Sequence, residues 1–177
     1  MDETELHNSL VALHSASFAW AMSCCRDRDL AEEVLQSVYV KLLEGRSSYQ
    51  GRSSFKTWLF TVIQNAARDS QRKRWWSRVL RLEFESLAEL AGATPADHQA
   101  GGAEDQLAMV RRALEKLPQR QRQVAHLVFY EDLTVNDAAE VMGVTVGSAR
   151  QHYARAKQTL RNSLKPLQNR TDDSIPR

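Results

Sequence analysis

Cysteine is nearly missing from this chain of 177 residues: Cys24 and Cys25, side by side, are the only two. Adjacent cysteines cannot staple distant segments, and a bridge between them would be strained. The chain also lacks a CxxC or Cys/His zinc pattern. Two reduced, partly buried thiols are the expectation. No apolar run approaches the roughly 20 residues of a membrane span. The first ten residues, MDETELHNSL, lack the charged-then-apolar layout of a signal peptide. A protein made and kept in the cytoplasm follows. Strand-like alternation is absent, and so is a glycine-rich phosphate loop. The five histidines (His7, His14, His98, His126 and His152) are scattered. No Ser/His/Asp set stands out, which argues against an enzyme. His7 and His14, with Cys24 or Cys25, remain a conceivable metal group, but the expectation is no metal and no cofactor.

What is present reads almost entirely as helix. Leu6, Leu10, Leu13, Phe18, Ala21 and Met22 give an apolar series over residues 5–25. Ala31, Val34, Leu35, Val38 and Leu42 recur at helical spacing in the next segment, which Asp27 or Asp29 can cap and Gly45 ends. Residues 46–54 are a polar loop. A third helix starts near Ser54 and turns Phe55, Trp58, Leu59, Val62, Ile63 and Ala66 inward. Residues 92–104 have linker composition. A second unit begins near Asp105, with Leu107, Val110 and Leu114 on one helix and Val124, Leu127 and Val128 on the next. Pro118 suits the first turn of the latter. The fold class is all-α: two small helical domains joined by a flexible linker, the second a four-helix domain. The expected boundaries are 1–76, linker 77–104, 105–165 and a frayed tail 166–177.

Residues 133–165 carry the sharpest local signal. Thr134 can cap a short helix whose apolar face is Ala138, Ala139 and Met142. Gly143 stands where a helix end needs a positive φ. Thr145 can cap the following helix, where Val146, Ala149, Tyr153, Ala156 and Leu160 share one side. Ser148, Arg150, Gln151, Arg155, Lys157 and Arg161 occupy the other, and no acid occurs between Glu140 and Asp172. This is a helix-turn-helix whose second helix suits a DNA major groove. A helical hairpin with a solvated basic face has the same pattern.

A second basic constellation lies at 46–76, with seven cations (Arg46, Arg52, Lys56, Arg68, Arg72, Lys73, Arg74) and one acid, Asp69. Tyr49, Phe55, Trp58, Phe60, Trp75 and Trp76 are interleaved. Cations that track phosphates, with aromatic faces that stack on bases, suit melted nucleic acid. Asn65, Arg68 and Arg72 share one exposed side, and Asp69 can pair with Lys73. Trp58 lies on the apolar stripe and belongs to the core; Trp75 and Trp76 can pack against the first helix. Net charge is only +2. It divides as +1 over residues 1–76 (10 basic, 9 acidic), −3 over 77–104 (2 and 5) and +4 over 105–177 (12 and 8). Local stripes on a nearly neutral chain suit a protein that touches nucleic acid in two places.

The order of these pieces resembles the extracytoplasmic-function (ECF) sigma factors of the bacterial sigma-70 family. D-L-A-E-E-V-x-Q, F-K-T-W-L and N-x-A-R-D precede a spaced L-P-x-x-x-R-x-V helix and the helix-turn-helix, over about residues 5–165. The resemblance implies two modules, region two and region four. It implies that the helix 29–44, through Asp29, Glu32, Glu33 and Gln36, docks on the clamp helices of the largest subunit of core RNA polymerase. The loop 46–54 then captures a flipped base of the −10 element. Tyr49, Arg52, Lys56, Asn65, Arg68, Arg72 and Arg74 contact that strand and its phosphates. Ser148, Arg150 and Gln151 read −35 bases, with Arg155, Lys157 and Arg161 as phosphate clamps. The C-terminal module meets the polymerase flap, and the linker threads toward the RNA exit path. Ser148-Ala149-Arg150 stands where the family often has T-V-K, which implies a different promoter sequence. Family members are usually silenced by an anti-sigma factor, often membrane-anchored. An exposed apolar face on 29–44 or 119–131 is where one would bind. The expected function is an alternative sigma factor, in a stress or envelope response, with no small-molecule substrate. A conventional helix-turn-helix repressor or activator is the alternative.

Overall fold

The computed structural model describes residues 1–84 and 112–172, with side chains over 1–76 and 112–164. The described residues contain no strand. The elements are α1 (Glu3–Ala12), α2 (His14–Cys25), α3 (Arg28–Leu43) and α4 (Phe55–Phe84), then a helical turn at 112–115, α5 (Gln119–Phe129), α6 (Val135–Met142) and α7 (Val146–Asp172).

Local chemistry sets most of these boundaries. Asp2 and Glu5 form a reciprocal capping box at α1. The apolar series over 5–25 is split at Leu13, whose ψ of 3° leaves the helical range, so α1 and α2 are separate helices. Asp27 caps α3: its Oδ1 accepts the Leu30 amide at 2.8 Å. Ser54 accepts the Thr57 amide at 3.1 Å and so begins α4.

In the first half, α2, α3 and α4 pack around Trp20, which is fully buried. Its indole Nε1 donates to the Phe60 carbonyl at 2.9 Å, and its ring stacks on the Phe60 ring with centroids 5.9 Å apart. The whole expected face of α3 (Ala31, Val34, Leu35, Val38, Leu42) is buried. The α4 face is rotated from the one expected. Leu59, Phe60, Ile63, Gln64 and Ala67 are fully buried, while Phe55, Trp58, Val62 and Ala66 are half-buried around the rim. The reason is that α4 is covered on two sides, by α2 and α3 and by α6.

The second half does not stand apart. Val124 and Leu127 of α5, with Ala138, Val141 and Met142 of α6, join the same hydrophobic core as α2–α4. A smaller cluster of Leu117, Ala125 and Ala156 closes the far side of α5 against α7. The helix-turn-helix forms as its local signals predict. Thr134 and Asp137 make a capping box, Gly143 takes φ 60°, and Thr145 Oγ1 accepts the Ser148 amide at 3.2 Å. Pro118 sits one residue earlier than expected, as the N-cap of α5.

Two expected boundaries differ. Helix α4 continues as helical backbone past the expected unit boundary at 76 to Phe84. Helix α7 runs through Pro166 to Asp172, so residues 166–172 of the expected frayed tail are helical. A proline there removes one amide donor, and the carbonyl it frees belongs to Asn162, an exposed residue. The linker segment 92–104, Leu107 and Val110 lie outside the described residues, as do residues 173–177.

Candidate nucleic-acid and polymerase interface

The expected polymerase face is solvent-exposed. Asp29, Glu32, Glu33 and Gln36 all point outward from α3. Glu32 is tied to Arg28 at 2.8 Å, an exposed i,i+4 pair. Beside these acids, His14, Phe18, Leu35, Tyr39, Val40 and Leu43 line a groove of about 520 Å³ between α2 and α3. Val40 and Leu43 are about half exposed there. Tyr39 Oη lies 3.4 Å from His14 Nδ1. Among the described residues, no three His, Cys, Asp or Glu side chains converge as a metal site.

The residues expected at the −10 element fall into three settings. Asn65, Arg52, Arg72 and Arg74 are exposed. Arg72 pairs with Asp69 at 3.2 Å, in place of the Asp69–Lys73 pair expected, and Arg74 pairs with Asp27 at 3.1 Å. Tyr49 folds back onto α4: its hydroxyl donates to the Ser53 carbonyl, and its ring meets Phe55 and Trp58, each 5.5 Å away. Loop 46–54, with Gly51 at φ 71°, is therefore anchored by an aromatic cluster at the start of α4.

Lys56 and Arg68 are in the third setting, both half-buried; Arg68, expected on one exposed side with Asn65 and Arg72, is turned inward. Lys56 Nζ meets Glu131 Oε2 at 2.7 Å and the Glu131 carbonyl at 2.9 Å. Arg68 donates to the carbonyl of Met142, the last residue of α6. Arg120 donates to that same carbonyl at 3.2 Å. Two guanidinium groups thus converge on the negative end of a short helix. Both expected −10 contacts are turned into the seam between the halves because that seam offers them a carboxylate and a helix terminus.

The rest of the seam is polar as well as apolar. Gln123 is fully buried and donates to Gln64 Oε1 at 3.1 Å; the Cys24 thiol donates to the same oxygen at 3.0 Å. Gln71 and Gln119 both donate to the Cys24 carbonyl, at 3.0 and 3.4 Å. Arg122 reaches the Ser23 carbonyl at 3.2 Å. His126 is sandwiched between Trp20 and Tyr130, with ring centroids 5.6 Å away on each side. Burial holds its pKa below the usual histidine value, against the pull of Glu131 at 3.3 Å. Cys24 and Cys25 are free. Desolvation pushes the Cys24 thiol well up and Cys25 to about 11. None of these seam residues was expected at a site. Their signal is a polar residue on an apolar stripe: Gln64 follows Phe60, and Leu127 follows Gln123, by four positions.

The expected −35 residues line the outside of α7. At 100° per residue they form two rows, Ser148–Gln151–Arg155 and Arg150–Lys157–Arg161, flanking the strip opposite buried Ala149 and Ala156. Arg150, Gln151, Arg155 and Arg161 are exposed. The Ser148 hydroxyl is engaged with Thr145 Oγ1 at 2.9 Å, and Lys157 Nζ sits 4.4 Å over the Tyr153 ring.

Two family descriptions match this chain: Sigma-70 region 2 over residues 11–77 and Sigma-70, region 4 over residues 107–160. The ECF RNA polymerase sigma factor EcfG of Rhodopseudomonas palustris is 30% identical over 88% of this chain and 82% of its own length. The chain belongs to the ECF sigma factors. It is an alternative sigma factor, a transcription initiation factor that directs RNA polymerase to promoters. The ECF sigma-E factor of Escherichia coli is 28% identical over 76% of this sigma factor and 74% of its own length. Among solved structures, the sigma factor RpoE bound to the anti-sigma factor NepR, from Bartonella quintana, matches with TM-score 0.67 and 26% identity. That match covers 91% of this chain and 97% of that one. CnrH in complex with the cytosolic domain of CnrY matches with TM-score 0.57 and 26% identity, over 90% and 87% of the two chains. Matches to both regions exclude the free-standing repressor or activator as the better description. Among the described residues, no helix is long and apolar enough to cross a membrane.

Proposed function

We propose that this sigma factor uses α3, α4 and α7 as three separate contact surfaces, and that the structure is its closed, resting form. Asp29, Glu32, Glu33 and Gln36 meet basic and polar groups on the polymerase clamp. Tyr49, Arg52, Lys56, Asn65, Arg68, Arg72 and Arg74 hold the melted −10 strand. Ser148, Arg150 and Gln151 read −35 bases, and Arg155, Lys157 and Arg161 hold phosphates. The reading is carried by one observation: Lys56 and Arg68, on the −10 side, are bound to Glu131 and Met142 of the −35 module. The same two cations cannot serve the seam and the promoter at once, so region four must leave α4 before the −10 strand is engaged. The unit boundaries 1–76 and 105–165, with the flap contact through the second, belong to this reading. The protein does no bond chemistry; nucleotidyl transfer is the polymerase's.

An anti-sigma factor holds the protein in the cytoplasm, with sequestration at the inner face of the membrane where that partner is anchored. Two exposed apolar surfaces support this: Val40 and Leu43 on α3, and Phe129 and Tyr130 at the end of α5. The similar RpoE structure is a complex with the anti-sigma factor NepR, and the similar CnrH structure is a complex with the cytosolic domain of CnrY. The test is run-off transcription with core polymerase on a promoter library, comparing wild type with Arg150→Ala and Asn65→Ala. Specific initiation that Asn65→Ala abolishes and for which Arg150→Ala relaxes the preference at one −35 base pair is the expected result. Unaltered initiation by both variants sinks the assignment.

A further inference from the structure

Trp75 and Trp76, for which the sequence leaves open both base stacking and packing against the first helix, are 58% and 54% exposed. They touch each other instead, ring centroids 4.9 Å apart at 76°. An edge-to-face pair of this kind leaves a ring face open. The two rings also continue a line already on α4. Trp76 follows Arg72 by four residues and Asn65 by eleven, so all three share one side of the helix. Trp75 follows Arg68 by seven and falls on that residue's line. The rings sit roughly 16 Å beyond Asn65 at a rise of about 1.5 Å per residue.

The surroundings select the partner. Arg72, Lys73 and Arg74 immediately precede the rings, and no acid occurs on α4 between Asp69 and Glu83. Open indole faces beside a run of cations match a polyanion that carries flat rings. Arg72 and Arg74 make only exposed pairs, with Asp69 and Asp27, which are weak in water and leave the guanidinium groups open to a phosphate; an acid-free apolar peptide would answer neither them nor Lys73. We infer that Trp75 and Trp76 form a stacking platform for a base of promoter DNA flanking the −10 element, at the opposite end of the α4 stripe from loop 46–54. This rests on the reading that the stripe Asn65–Arg72 follows the −10 strand. It adds a contact outside the element itself, so a base there is selected for how readily it unstacks. Arg72–Arg74 supply phosphate attraction, and the indoles supply the ring contact.

The test uses holoenzyme assembled from core polymerase and full-length protein, on a promoter found by run-off transcription. A series of templates carries a single abasic nucleotide at successive positions in and beside the −10 element. Trp75→Ala/Trp76→Ala is expected to lower open-complex formation about tenfold, the scale of one lost stacking contact. Trp75→Phe/Trp76→Phe should restore most of it. One flanking abasic position should cost wild type about the same factor and the Ala pair nothing further. If the Ala pair initiates like wild type, the platform is wrong. It is equally wrong if every abasic position penalises both proteins alike, which is the result expected were residues 85–111 or a protein partner to cover the rings. Asn65→Ala separates the two layers. If it impairs initiation while the Trp pair does not, only the platform falls. If neither matters, the −10 reading of α4 falls with it.

Discussion

Single residues at the seam have properties that their types alone do not predict. His126 lies between two aromatic rings, faces Glu131, and has Lys56 beyond that carboxylate. Its pKa is lowered by burial, so the folded protein takes up this proton at lower pH than the unfolded chain does. Stability from neutral His126 is therefore complete above the ordinary value of about 6.5 and is lost as pH falls below it. Urea unfolding at pH 7.5 and pH 5.5 should show wild type losing more stability than His126→Gln, at most about 1.4 kcal/mol per pH unit. Equal losses would mean that the imidazole is not the group responsible. Cys24 belongs to the same setting. Its thiol is buried and donates to Gln64, and desolvation opposes the reactive thiolate. Native protein at pH 8 should resist iodoacetamide at Cys24 and at Cys25, whereas protein in urea should alkylate both. Rapid native labelling, read by mass spectrometry, would contradict that burial.

At the scale of elements, legibility depended on whether the deciding interaction was local. Helix α3 and the helix-turn-helix follow from the sequence because their apolar spacing, Asp27, Thr134 and Gly143 act within a few residues. The inward face of α4 is rotated from its apolar stripe because it includes Gln64, a polar residue whose partners, Cys24 and Gln123, lie 40 and 59 positions away. The same distance hid the seam roles of Lys56 and Arg68. Gly143 offers a direct check on the local part. At φ 60° an alanine there is strained, although its Cβ would meet only the Arg68 guanidinium, Nη1 at 3.5 Å and Nη2 at 3.9 Å. Gly143→Ala should cost about 1–2 kcal/mol in thermal or urea unfolding. An unchanged stability would show that α6 ends differently in solution. On α7, Arg150 is exposed on the first turns and free of a protein acceptor among the described contacts, so the helix can present it to a base edge. Arg150→Ala should weaken −35 binding and relax preference at one base pair, each by about 1–3 kcal/mol. Arg155→Ala should weaken binding to all sequences alike; competition binding with single-base-substituted duplexes separates the two outcomes.

If the packed arrangement is the closed, resting form proposed above, the whole molecule is a balance between that form and whatever opens it. The apolar part of the seam, Val124, Leu127, Val141 and Met142, favours closure and would be exposed to water by separation unless polymerase covers it. The polar part is more easily tuned, because Glu131 is nearly buried and accepts from Lys56 and faces His126 at once. Glu131→Gln keeps the shape and removes the charge. Losing the charge-assisted contact should weaken closure by about 1–3 kcal/mol. A change of 1–2 kcal/mol moves the closed-to-open ratio by roughly 5–30-fold. Exposed Glu140→Gln, on the same module, is the matched control for net charge. Small-angle scattering of the free proteins should give a larger radius of gyration for Glu131→Gln than for wild type or Glu140→Gln. A pre-melted −10 template should then bind the Glu131→Gln protein more tightly, since Lys56 and Arg68 are released without help from polymerase. If the radius grows and template binding does not, the seam is a packing contact that leaves the promoter-binding face open. If neither changes, closure is held by the apolar surface alone, and only the large partner that covers it can open the molecule.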